Sequence, residues 1–326
     1  MLSFAGQAIL HATIAALLIE ALLRLWRVED PGERLALRWV AMAAPMALTL
    51  AYVLLAPIRS TAAFAEGWAL FAGVHWNELR IGGAGMASAA TIALSAVGTA
   101  LYLRDAVPFL ADRIGRQATE TGLPWDHPAC RRVRDALETV TAAGPERPSA
   151  ITVVDLASPV LLCSGVDRTT ILISTGTLAR LDDDELRAAL AHEVAHLVTR
   201  DPLAGWWLIT LRTLQFFNPV VQIVARQAVQ ELERRADIAV ARQGQARGLA
   251  GAVQRLSLAP EVHSDLTLPS ESGHLAARVL SSAHRQATGD RCRRLLTNVL
   301  PVPHPFRIWR IGLGAAALVM LLFLVV

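Results

Sequence analysis

Four apolar runs constrain the fold of this chain most strongly, because each approaches the length that a helix needs to cross a lipid bilayer. They occupy residues 2–23, 39–56, 84–103 and 311–326. The last run is slightly short, but Ile308 and Trp309 extend it. The chain is also 53% hydrophobic, with a mean hydropathy of +0.40, which is unusually apolar for a soluble domain. We therefore expect an integral membrane protein with four transmembrane helices.

The placement of arginine predicts the orientation of these helices. The loop after the first run carries four arginines and the loop after the second carries two, namely Arg24, Arg27, Arg34 and Arg38 against Arg59 and Arg80. The loop that is richer in arginine is expected to be cytoplasmic. Both termini then lie outside the cell, and the long segment between the third and fourth runs lies in the cytoplasm.

Three parts of the chain follow from this scheme. They are three transmembrane helices in 1–104, a cytoplasmic domain in 105–306, and a fourth transmembrane helix in 307–326. The cytoplasmic part combines helical patterns with three short segments that resemble strands, at 150–155, 160–163 and 169–174. The expected fold class is mainly α with a small β-sheet, in a multi-span helical membrane protein.

Composition also indicates which partners the chain binds and whether its cysteines are reduced. The net charge of +3 comes from a chain without lysine, whose arginines flank the apolar runs. This placement favours contact with anionic lipid headgroups of the bilayer over direct binding of nucleic acid. The three cysteines lack CxxC spacing and are odd in number, which indicates reduced thiols rather than disulfides or a metal cluster.

The sequence His192-Glu193-Val194-Ala195-His196 fits the HExxH pattern. Residues four apart lie on one face of a helix, so His192 and His196 can bind the same zinc ion. Glu193 lies beside that ion without ligating it and can act as the catalytic base. An acidic helix start at 182–185, with a capping box, and an apolar stripe through 186–197 place this motif on a buried helix.

A catalytic zinc site needs a third protein ligand and an open position. Glu233 is the best candidate, because it lies with Asp237 on one face of a second amphipathic helix. Glu231 remains an alternative ligand. Asp237 is expected to accept a hydrogen bond from the far nitrogen of a zinc histidine, most naturally His192. The expected cofactor is one Zn²⁺ per chain.

The segment 204–225 is apolar enough to suggest another membrane crossing. A single crossing would place His192 and Glu233 on opposite sides of the bilayer, which is incompatible with one zinc site. Arg212 and Asn218-Pro219 also interrupt the segment. We expect two amphipathic pieces joined at Asn218-Pro219. They either pack on the membrane face or dip into the bilayer and return.

The region 171–241, with HEVAH, Asn218-Pro219 and Glu233-Arg234-Arg235-Ala236-Asp237, resembles the integral-membrane gluzincins. The chain is most similar to the BlaR/MecR-type sensor-transducer peptidases, which share the layout of three spans, a cytoplasmic zinc domain and a fourth span. The resemblance implies His192, His196 and Glu233 as zinc ligands, Glu193 as base and Asp237 as the supporting carboxylate. It also implies a protein substrate, either the chain itself or a cytoplasmic repressor.

Departures from that family keep alternatives open. No external ligand-binding domain follows Val326, so a role in antibiotic sensing is not expected. The Ala236-Asp237 pair is more similar to the HtpX and CAAX-prenyl-protease family, which favours a quality-control protease as the second choice. A third alternative is a signalling module without proteolysis, although such a module has no need of Glu193. The sequence does not rank Arg234, Arg235 and His263 as stabilisers of the oxyanion, and a homodimer is left open.

Overall fold

The computed structural model describes residues 2–70, 80–81, 84–114, 122–141, 148, 150–164, 169–257, 288–297 and 307–325. The chain divides into two compact units. Unit 1 contains Met1–Ala106, Thr210–Glu231 and Pro303–Val326, and unit 2 contains Val107–Ile209 and Leu232–Val302. The expected cytoplasmic domain, 105–306, includes three segments that this division assigns to unit 1, namely 105–106, 210–231 and 303–306.

Unit 1 consists mainly of long apolar helices. In chain order they are α1 (Leu2–Leu25), α2 (Pro31–Leu55), the short α3 (Ala62–Gly67) and α4 (Met86–Ile114). A small hairpin of β1 (Arg80–Ile81) and β2 (Ala84–Gly85) precedes α4. Three stretches are long and apolar enough to cross a membrane, namely Phe4–Leu25, Pro31–Leu55 and Met86–Arg104. The fourth expected span is a shorter apolar helix, Ile308–Phe323.

Buried polar contacts join the helices of unit 1. The side chain of Arg59 donates to the backbone oxygens of Leu322, Phe323 and Val325, at 2.6–3.1 Å, and so satisfies carbonyls that the last helix leaves unpaired at its end. The carboxylate of Glu33, at the start of α2, accepts from Arg310 at 2.9 Å. In an apolar environment such groups are costly unless they are paired.

Unit 2 is built around a small mixed sheet and several helices. Strands β3 (Ala150–Val154), β4 (Leu161–Ser164) and β5 (Thr170–Ser174) lie in the order β3-β5-β4, with β3 parallel and β4 antiparallel to β5. The remaining helices are α5 (Pro128–Thr141), α6 (Thr175–Arg180), α7 (Asp183–Val198), α8 (Asp201–Leu214), α9 (Pro219–Arg242), α10 (Ala246–Ser257) and α11 (Thr288–Thr297). The last helix of the chain is α12 (Ile308–Phe323). The described residues confirm the expected class, mainly helical with a small sheet.

Helix α7 is buried on two sides, which explains why it carries the site rigidly. Leu186 and Leu190 are fully buried in one core cluster with Ile171 of β5. Ala188 and Ala191 enter a second cluster with helix α10. The capping box at the start of α7 is present as predicted, since Asp182 accepts from the backbone of Glu185 at 2.9 Å and Glu185 accepts from that of Asp182 at 3.0 Å.

Candidate metal centre

The two histidines of HEVAH lie on one face of α7, because they are one helical turn apart. His192 and His196 are both buried, and their Nε2 atoms are 3.0 Å apart. Two imidazole nitrogens so close together in a buried site need a shared proton or a shared cation between them. This pair is therefore suited to binding a metal ion.

Glu233 of α9 completes a group of three ligands. Its carboxylate oxygens lie 3.4 Å from Nε2 of His192 and 3.6 Å from Nε2 of His196. One donor atom from each residue falls within 4.8 Å of the others. Ligands of a tetrahedral zinc ion with bonds of 2.0–2.1 Å are about 3.3 Å apart. The three donors fit zinc in type and in spacing, whereas Glu231 binds Arg34 of α2 at 2.6 Å within unit 1.

Each histidine is oriented by a carboxylate behind it. Oδ1 of Asp237 lies 3.2 Å from Nδ1 of His192, which is the contact predicted from the sequence. Oδ2 of Asp201 lies 2.7 Å from Nδ1 of His196. These partners keep the proton on Nδ1 and direct the free Nε2 towards the ion.

Asp201 is a residue of the site to which the sequence analysis assigned no role. It is fully buried, and it also accepts from Thr199 at 2.8 Å and pairs with Arg235. The chain turns back at Arg200, which has a φ of +54°, so that the first residue of α8 reaches His196. The only signal in the sequence was an aspartate shortly after the second histidine.

Arg291 of α11 is the second residue that sequence reasoning missed. It is 3% exposed, and its guanidinium binds Asp237 at 2.6 Å and Glu233 at 3.2 Å. It also lies 3.1 Å from Nε2 of His192. Arg291 therefore supplies a fixed positive charge beside the carboxylates of Glu233 and Asp237. Nothing in the local pattern around residue 291 indicated this role, because its contacts with Asp237 and His192 span 54 and 99 residues of sequence.

These contacts shift two ionisation equilibria in the metal-free site. Burial and Arg291 each lower the pKa of His192, but hydrogen bonds to Asp237 and Glu233 outweigh them and raise it to about 9. Burial acts to raise the pKa of Asp237, yet Arg291 and His192 hold it at about 2. In the metal-free site these hydrogen bonds thus favour the protonated form of His192, and a metal ion that binds there competes with that proton.

The predicted base, Glu193, is partly buried on α7 and faces strand β4. Its carboxylate contacts the thiol of Cys163, and burial together with Glu193 raises the pKa of that thiol well above its usual range. Cys163 is therefore a neutral thiol, as expected for a reduced, packed cysteine. Of the three candidates for the oxyanion, Arg235 is paired with Asp201, Arg234 is partly buried, and His263 lies outside the described residues.

An HExxH helix whose two histidines converge with a carboxylate is the kind of site that HExxH metallopeptidases use, and the long apolar helices indicate a membrane protein. Residues 92–253 match the family model described as BlaR1 peptidase M56. This match confirms the BlaR/MecR-type family that the sequence resembles, and the matched segment contains the HEVAH helix and Glu233.

Arg291→Met tests the charge balance of the centre. We expect the metal-free variant to unfold at a lower temperature, because loss of one partner of a buried ion pair costs about 3–5 kcal/mol. Added zinc should then raise the melting temperature more in the variant than in the wild type, since the ion replaces the missing charge. Thermal unfolding in detergent, with and without zinc, measures both effects.

Arg293→Met is the matched control for that experiment. Arg293 lies on the same helix but is 77% exposed and pairs only loosely with Asp290. Its loss should change the melting temperature little in either condition. A variant at residue 291 that matches this control in the metal-free state would show that Arg291 does not stabilise the acidic cluster.

Proposed function

We propose that this protein is a membrane-bound zinc endopeptidase that cleaves a cytoplasmic or membrane-proximal protein. One observation carries the proposal: His192, His196 and Glu233 converge as a ligand group, and Glu193, which is not part of that group, can act as the base. A site that only stabilised the fold would have no need of this additional carboxylate beside the metal ligands.

The residues of this chain divide the chemistry between them. His192, His196 and Glu233 would hold the ion, which when bound supplies Lewis acidity to water and to the substrate carbonyl. Glu193 accepts a proton from the attacking water and returns it to the leaving amine. Asp237 and Asp201 keep the two imidazole rings oriented throughout the cycle.

Strand β4 is the proposed guide for the substrate. It is an edge strand of the three-stranded sheet, and its Cys163 contacts Glu193. An extended peptide that paired with the free edge of β4 would pass the catalytic carboxylate. The geometry favours cleavage of an unfolded or flexible segment, such as a loop of a repressor or of this chain itself.

The proposed location is a cell membrane of bacterial type, with the active site facing the cytoplasm and both termini outside. This orientation is supported by the four arginines near the end of α1 and the start of α2. A quality-control protease of the HtpX type and a signalling module without proteolysis are the alternatives. If the substrate is the chain itself, a homodimer is one arrangement in which one chain would cleave the other.

Glu193→Gln distinguishes the peptidase from the signalling module. The variant should keep its zinc but lose cleavage of itself or of a repressor encoded beside its gene, by about 10²–10⁴-fold. Metal analysis of the purified protein and mass spectrometry of fragments from cells measure the two properties. Glu138→Gln, an exposed residue of α5, is the matched control. Identical fragments from wild type and Glu193→Gln would support the signalling module instead.

A further inference from the structure

The end of α8 and the beginning of α9 form a helical hairpin, here defined as Thr210–Glu231, that belongs to unit 1. The side chain of Gln222 donates to the backbone oxygens of Arg212 at 3.2 Å and Gln215 at 3.3 Å. Its own oxygen accepts from Arg212 at 2.8 Å. The second arm of the hairpin therefore folds back along the first, with the turn at residues 215–218.

The second arm of the hairpin, within α9, runs antiparallel to α2, as three contacts show. Glu231 binds Arg34 at 2.6 Å, and Gln227 binds Arg38 at 2.5 Å. Gln215, in the turn, donates to the backbone oxygen of Met42 at 3.0 Å. Met42 lies about 17 Å along α2 from its first residue, at 1.5 Å per residue. The turn therefore reaches about halfway along a helix that is long and apolar enough to cross the membrane.

The turn also contacts α1 and α4, within stretches that are long and apolar enough to cross a membrane. The side chain of Asn218 donates to the backbone oxygen of Ala8 at 3.2 Å, and Ala8 lies about 25 Å along α1 from Leu25. The backbone oxygen of Phe217 lies against Gly98, where a Cβ atom would be only 2.2 Å away. Gly98 thus allows the backbone of the turn to rest directly on α4.

The hairpin buries several polar side chains, next to apolar ones such as Val221 and Val229, and it exposes three large apolar side chains. Its buried side chains include the polar residues Arg212, Gln215, Asn218 and Gln222. Its exposed side chains include Leu214 at 55%, Phe216 at 44% and Ile223 at 49%. Polar groups that bond inside the bundle, combined with apolar groups that face outwards, are the arrangement that a hydrocarbon solvent favours.

We propose that Thr210–Glu231 is a re-entrant hairpin inside the bilayer, and that its outer face of Leu214, Phe216 and Ile223 contacts lipid acyl chains. This choice decides between the two arrangements that the sequence left open for this segment. The inference rests on the packing of unit 1 and not on the metal chemistry.

A spin label at position 216 tests the proposal. Phe216→Cys is labelled with a nitroxide in a background of Cys130→Ala, Cys163→Ala and Cys292→Ala, and the protein is placed in vesicles of phosphatidylcholine and phosphatidylglycerol. Leu50→Cys, on the exposed apolar face of α2, is the lipid reference, and Glu138→Cys, at an exposed charged residue of α5 outside the hairpin, is the aqueous reference. We expect the label at 216 to be as accessible to oxygen as the label at 50. We also expect its accessibility to a water-soluble nickel chelate to be low.

The other outcomes contradict the proposal. Nickel accessibility at 216 equal to that at 138 would place the hairpin in water, and low accessibility to both oxygen and the nickel chelate would show that a protein surface covers this face. A second measurement leaves the native cysteines in place and compares membrane-folded yields. Phe216→Asp should reduce the yield strongly and Phe216→Leu should not, whereas equal yields from both would show that this face does not contact lipid.

Discussion

We expect Glu233→Ala to lose its zinc, whereas Glu231→Ala should keep it. The two carboxylates are close in sequence on α9, and the sequence alone allowed either to serve as the ligand. In the structure, Glu233 lies 3.4 Å from Nε2 of His192, while Glu231 is 2.6 Å from Arg34. Loss of a direct ligand should weaken zinc binding by more than the roughly 10–100-fold that loss of a supporting residue costs.

Zinc content after dialysis against a weak chelator measures this difference. Peptidase activity should fall to the background level in Glu233→Ala, because two histidines alone do not keep the ion. Glu231→Ala leaves Arg34 and Arg38 without their common carboxylate, so its membrane unit should unfold more easily while zinc per folded chain is unchanged. The opposite pattern of zinc retention would assign the ligand to Glu231.

Gly176→Ala should disrupt unit 2, because there is no room for a side chain at this position. A Cβ atom on Gly176 would lie 2.1 Å from the backbone oxygen of Ala157 and 2.8 Å from that of Leu156. Both atoms belong to the segment that leads into β4, so relief of the clash displaces the strand that contacts Glu193. We expect a loss of about 3 kcal/mol or more. A unit of this size should then unfold at a temperature lower by about 6–12 °C.

Gly289→Ala provides the control for the glycine experiment. No heavy atom among the described residues lies within 4 Å of a Cβ atom at this helical position, so the substitution should be neutral or slightly stabilising. Differential scanning fluorimetry of the zinc-loaded proteins compares the two variants. If Gly176→Ala melted with the wild type, the tight approach of the 156–157 backbone to α6 would not be required for the fold.

Local rules accounted for the parts of the site that depend on one helix at a time. The spacing of His192 and His196 on α7, and the capping box that starts this helix, follow from helical periodicity. The apolar stripe of α9 likewise predicted that Glu233 and Asp237 share a face. The short strands of the sheet were predicted to within a residue or two, because their β-branched content is high.

Contacts that depend on irregular backbone or on distant segments were beyond these rules. Asp201 reaches His196 only because Arg200 adopts a left-handed conformation, which arginine rarely does. Arg291 arrives from α11, after a long stretch of chain with no periodic signal. The contact of Cys163 with Glu193 depends on how β4 packs on α7, which the hydrophobic pattern of either element leaves undetermined.

Buried ion pairs in the site bear on whether folding depends on metal binding. Arg291 pairs with Asp237 and Glu233, and Arg235 pairs with Asp201. Small zinc modules remain unfolded until the ion arrives, since their cysteines and histidines have no other cation to hold them. Here two guanidinium groups already compensate the carboxylates. Folding therefore does not need a metal ion to compensate these carboxylates, and a metal ion that binds here would bind a chain that has already folded.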